Sequence, residues 1–381
     1  MLLKDKVIKN RYFGLDFARS ALMLMGIIYH SSLIYIIDSQ WHISHPQQSQ
    51  IFNLLSEFIH YFRMNAFYII AGFFFVLVIE KYESKKILTE RIVKLFVPLL
   101  VIGFSINTYF NGMHPEYSAM WSFEYIFQGQ WVHHLWFIGN LIFYYILAIL
   151  FVGNFTTAKV RAHSLKIIAF FALAVTPTLW ILLTWFGMKI IPTRVLFLSF
   201  ETALGYFPYF VLGMYFWGQR DRCFAAMTPS NAMIISMISL VLIVIMQTID
   251  LKSISWTLYL VVNGLTGGVL SIAMIMWLNC IGNKANKLVG KLTDSSYSIY
   301  LLHDPLIVFI YVTFLAALEL NIFLSYALLC SAVFIVTYFS HFLLIKKSVV
   351  LMLLINGKIP TRKNPHASTK SVQQISDNNQ V

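Results

Sequence analysis

A chain of 381 residues that is 59% hydrophobic and only 12% charged, with a mean hydropathy of +0.72, lies outside the range of soluble domains, where about a quarter of residues are charged. The net charge of +12 would suit nucleic acid, but its Lys and Arg sit in short loops between apolar runs, so it reads as membrane topology and no nucleic-acid partner is expected. Cys223, Cys280 and Cys330 are too scattered for a metal cluster or a disulfide framework and read as small apolar packing residues.

In chain order, Met1–Tyr12 carries Lys4, Lys6, Lys9 and Arg11 ahead of a long apolar run without a small-residue cleavage site, which reads as a retained helix. Apolar runs near 14–38, 53–79, 95–110, 134–152, 167–186, 201–217, 232–249, 256–279, 297–315 and 323–345 each approach the roughly 20 residues that a bilayer requires. The expected fold is therefore all-α, a polytopic bundle of about ten transmembrane helices. The third run is interrupted by Gly103, and Thr293–Ser296 offer cap chemistry for the ninth, which Pro305 could kink. Loops on one side hold 23 Lys and Arg against 3 on the other, which predicts that both termini are cytoplasmic. Residues 1–348 form the expected membrane domain, and 349–381 a polar, disordered cytoplasmic tail.

Ionisable residues interrupt the first two runs: Arg19 and His30 in LDFARSALMLMGIIYHSSLIY, then Glu57, His60 and Arg63 in LLSEFIHYFRMNAFYIIAGFFF. An arginine within a span costs about 2.5–3.5 kcal/mol by insertion scales, so such residues face a cavity, a partner or a substrate. Eleven residues are about three helical turns, so Arg19 and His30 point into one lumen at depths about 16 Å apart. His60 and Arg63 come at the depth of His30, and Glu57 is spaced to pair with His60 at i,i+3. His30 is either a general base or a histidine bonded between helices. Arg63 either holds an anionic group or oxyanion, or forms an ion pair with Glu57 or Asp16. Asp16 and Arg19 are spaced for an i,i+3 pair. Tyr300 and His303 share a face, expected in the cytoplasmic half. The outer histidines His42, His45, His114, His133 and His134 lie in expected loops without HExxH or a cysteine, so no metal is expected.

The two long segments, with HHLWFIGNLIFYY and SYSIYLLHDPLIV, resemble the acyltransferase-3 superfamily of multipass membrane O-acyltransferases, and within it the branch that succinylates osmoregulated periplasmic glucans. The match is close over the first 80 residues and has fixed points in the fourth and ninth runs. It implies a bacterial inner-membrane enzyme with no bound cofactor. Its co-substrate would be a cytoplasmic acyl-CoA, succinyl-CoA foremost, and its acceptor a periplasmic glucan hydroxyl, with the bilayer and glucan-synthesis proteins as partners. Arg19, His30 and Arg63 would be catalytic. His60, Glu57, His134, Trp136, Tyr300 and His303 would contact substrate, with Arg19, Tyr300 and His303 along the donor's entry. The sequence departs from the family form at Asp304, which separates His303 from Pro305. No extracytoplasmic hydrolase domain follows, so transfer is expected within the membrane domain or with a partner. Acetylation of another polysaccharide is the neighbouring possibility. A transporter would also need intramembrane charges, but the inverted repeat of many transporters is missing.

Overall fold

In the computed structural model the described residues are 12–39, 41, 43–81, 84–112, 121–152, 194–284 and 286–358. They are helical throughout apart from connecting loops and one isolated bridge, Val195–Leu198. The long helices are α1 (Phe13–Ser32), α2 (Gln50–Lys81), α3 (Ser84–Ile102), α4 (Trp136–Val152), α5 (Phe200–Gly218), α6 (Pro229–Thr248), α7 (Trp256–Gly282), α8 (Lys287–Ile310) and α9 (Ile322–Leu343). A short helix, α10 (Val349–Asn356), follows. Among the described residues, seven helical segments are long and apolar enough to cross a membrane, which makes this a multipass membrane protein. The expected fifth run, 167–186, lies outside the described residues.

Neither α1 nor α5 is among the seven, although both were expected as spans. Asp16, Arg19, His30 and serines dilute α1, while Glu201, tyrosines, glycines and Pro208 dilute α5. Both are interior helices: α1 packs among α2, α7, α8 and α9, and α5 lies along α2. By contrast, only 11% of the α6 span is buried, against 72% of Phe123–Ala148. In a bilayer the outside of a bundle is apolar, so polar residues are admitted where other helices cover them.

Glycines set the closest approaches. A Cβ on Gly72 of α2 would stand 2.0 Å from the Phe210 carbonyl oxygen, and one on Gly213 of α5 would stand 1.9 Å from that of Ile69. The two backbones therefore touch directly, as small residues permit in membranes.

Several boundaries differ from those expected. α1 ends at Ser32 rather than near 38, and a turn follows through Asp38, which has φ 55°. The interruption at Gly103 is a π-turn, Gly103–Asn107, where the Trp131 ring leaves no room for a Cβ (2.4 Å). α8 begins ten residues before the expected 297. Its N-cap is Asn286, whose side chain accepts from Leu288 N–H, so Thr293–Ser296 are mid-helix and not a cap. The helix continues through Pro305 to a second π-turn, Tyr311–Leu315. The expected tail opens as α10, packed on α3.

Candidate active site

Two cavities face opposite ends of α1 and share a wall. The larger, about 450 Å³, is basic: Arg19, Arg91, Lys94 and Lys358 line it, with Asp294 as the acidic group. The smaller, about 180 Å³, is lined by His30, His60, Arg63, His134, Trp136 and Tyr300, with Tyr29 and Trp41. Met23, Phe67 and Phe137 line both. Arg19 and His30 do point inward at two depths, but into two chambers that meet at three apolar side chains rather than into one lumen.

Local sequence explains the histidine chamber. Gly26, one turn before His30, lacks the Cβ that would come within 2.8 Å of Arg63 Nη1 and 3.1 Å of His303 Nε2. Arg63, which lines the chamber, and His303 behind it thus occupy the space that glycine leaves beside α1. The Arg63 guanidinium lies over the Tyr29 ring at 4.9 Å. Among the described residues no carboxylate is within ion-pair distance of it, so neither Glu57 nor Asp16 is its partner. Asp16 does pair with Arg19, at 3.3 Å.

Asp304, buried in α8, is the centre of the histidine cluster. Its Oδ1 is 3.3 Å from His30 Nδ1, and its Oδ2 is 2.9 Å from His133 Nδ1 and 3.3 Å from His134 Nδ1. The His303 ring packs against those of His30 and His134 at 5.2 and 5.6 Å. Backbone carbonyls fix two protons, because a carbonyl only accepts. His303 Nδ1 donates to the Tyr300 oxygen at 2.6 Å, and His134 Nε2 to that of Leu301 at 3.3 Å. A lone pair on His134 Nδ1 would then face the carboxylate, so a proton or a cation belongs between them. The ligand atoms of His133, His134 and Asp304 lie within 4.8 Å of one another, a donor set of the type that holds zinc.

Of the expected residues, His30, His60, Arg63, His134, Trp136 and Tyr300 come together here, with His303 behind them. Three expectations change. Glu57 does not pair with His60; it is exposed and accepts from Gln247 of α6 at 2.8 Å. Tyr300 and His303 stand beside His30 rather than at the depth of Arg19, because the earlier start of α8 carries them further along the bundle. His133 and His134 lie not in a surface loop but in a 3₁₀ turn, Gln130–Leu135, that leads into α4 beneath the cluster. The Tyr300 hydroxyl donates to the His134 carbonyl at 2.9 Å and ties α8 to this turn. Asp304 and the basic set Arg91, Lys94 and Lys358 were not foreseen as site residues. Asp304 had a signal, since a carboxylate alone inside SYSIYLLHDPLIVF needs a reason to be there.

Residues 12–342 match the family described as "Acyltransferase domain". The chain belongs to that acyltransferase family. Among curated proteins it is similar to "Glucans biosynthesis protein C" of Salmonella paratyphi A (strain ATCC 9150 / SARB42), 25% identical over 392 residues, covering 94% of this chain and 98% of that protein. The protein of the same name from Salmonella typhimurium is 26% identical over 391 residues, with the same coverage. No solved structure matches. Within this family member one chamber is basic and the other holds a histidine and an arginine.

Proposed function

We propose that this acyltransferase moves a succinyl group from a cytoplasmic acyl-CoA to a hydroxyl of a periplasmic glucan at the bacterial inner membrane. The observation that carries the reading is the shared wall of Met23, Phe67 and Phe137 between a basic chamber and the His30–Arg63 chamber. Arg19, Arg91, Lys94 and Lys358 suit the phosphates of the donor's nucleotide, since charge-assisted hydrogen bonds to phosphate are the strong ones. The thioester would reach past the wall to His30. There His30 takes the hydroxyl proton as the sugar oxygen attacks the carbonyl, and Arg63 holds the oxyanion or the succinyl carboxylate. Tyr300, expected from sequence along the donor's entry, lines the His30 chamber instead, and with His134, Trp136 and His60 it would contact the acceptor there.

Labelled succinyl-CoA supplied to inside-out vesicles containing glucan should leave ester-linked label on the glucan. His30→Gln, which can bond but cannot serve as a base, should reduce turnover by about 10²–10⁴ at normal abundance. Near wild-type turnover in that variant would sink the mechanism. Replacing Arg91 and Lys94 by Ala should raise the KM for the donor about tenfold or more and leave kcat nearly unchanged. Acetylation in place of succinylation would show as alkali-labile mass without extra anionic charge, since a succinyl carboxyl with an ordinary pKa near ~4 is ionised at neutral pH.

A further inference from the structure

We propose that Asp304 is a positioning residue for His30: its carboxylate holds the imidazole with Nδ1 protonated and Nε2 free to act on substrate. The proposal rests on His30 being the base of the acyl transfer. Three observations carry it. His30 Nδ1 and Asp304 Oδ1 are 3.3 Å apart, and both are buried atoms with no aligned hydrogen-bond partner. That is the loose geometry expected of a catalytic pair before substrate tightens it. Second, His133 Nδ1 is 2.9 Å from the other carboxylate oxygen, with His134 Nδ1 also near it at 3.3 Å, which orients the carboxylate and leaves Oδ1 for His30. Third, His133 reaches Asp304 from a strained backbone, φ 45° and ψ −123°, a conformation that persists only where its surroundings over-determine it.

In the transfer, the sugar O–H proton passes to His30 Nε2 while the new C–O bond forms. The thioester C–S bond breaks as the tetrahedral intermediate collapses, and the proton leaves on the thiol. Asp304 neither gains nor loses a proton. It fixes the tautomer and stabilises the transient imidazolium, a role that an isosteric amide cannot fill. One residue along α8 from His303, Asp304 faces the Nδ1 edge of His30.

The test has one arm that reads the ring and one that reads activity. In purified protein with ¹⁵N-labelled histidine, with the His30 signals assigned by comparison with His30→Gln, the neutral ring should be protonated at Nδ1 in the wild type. It should become a mixture of tautomers in Asp304→Asn. A wild-type His30 ring protonated at Nε2 overturns the proposal whether or not glucan is acylated. In the activity arm, Asp304→Asn should lower kcat by about 10²–10⁴ with KM for the donor little changed, and should cost less than threefold more in a His30→Ala background. Losses that multiply in the double variant, or near wild-type turnover of Asp304→Asn, overturn it. So does one equivalent of metal in the wild type whose removal by chelator abolishes activity, which would assign Asp304 with His133 and His134 to a metal site. Failure of the wild type to acylate glucan, with the ring arm as expected, would instead remove the functional reading and leave the Asp304–His30 pairing in place.

Discussion

At the scale of single residues, Gly26 is the most exposed to test. Ala is the better helix former by about 0.8–1.0 kcal/mol, so propensity alone favours Gly26→Ala. The added methyl would meet Arg63 Nη1 at 2.8 Å and His303 Nε2 at 3.1 Å; Arg63 lines the histidine chamber and His303 packs against His30 behind it. Since a misplacement of about 1 Å can cost about a hundredfold in rate, Gly26→Ala should keep or improve thermal stability in detergent while losing tenfold or more in turnover. Parallel losses of stability and activity would show instead that the glycine serves only packing.

At the scale of elements, the α2–α5 crossing is the most demanding contact. Gly72 and Gly213 each face a carbonyl oxygen of the other helix at a distance that no Cβ can occupy. Gly213→Ala must separate the helices, with loss of contacts around Tyr68, Phe73 and Phe210, all fully buried. It should lower the melting temperature and the abundance of the protein by an amount typical of overpacking, about 1–3 kcal/mol or more. Gly290, near the start of α8, has nothing within 4 Å of where its Cβ would lie, and Gly290→Ala should be neutral or slightly stabilising. Equal melting temperatures for the two variants would contradict this account of the crossing. The π-turn after α3 belongs to the same scale: Gly103 lets the Trp131 ring reach the backbone, and Asn107 donates to the carbonyls of Trp131 and Val132, which anchors the turn before His133.

For the whole molecule, the Lys/Arg distribution predicts orientation. A reporter fused after Ser44, in the connection between α1 and α2, should lie in the periplasm; reporters after Ser84 or at the C-terminus should lie in the cytoplasm. A cytoplasmic Ser44 fusion would reverse the assignment of the basic chamber to the donor. Across the bundle, the apolar side chains of Met23, Phe67 and Phe137 lie between the basic chamber and the histidines.

The sequence by itself determined the all-helical membrane class, the Asp16–Arg19 pair, and the inward placement of Arg19, His30 and Arg63, because an ionisable group in an apolar helix is costly enough to mark its own position. The partners of those residues were a different matter. Hydropathy runs could not show that α8 starts at Lys287, since its first turns are polar, and so Tyr300 and His303 were assigned to the wrong depth. Only the tertiary structure decided that Asp304 meets histidines from α1 and from the turn before α4. Those residues are separated by more than a hundred positions, and no local periodicity encodes a contact between helices so distant along the chain.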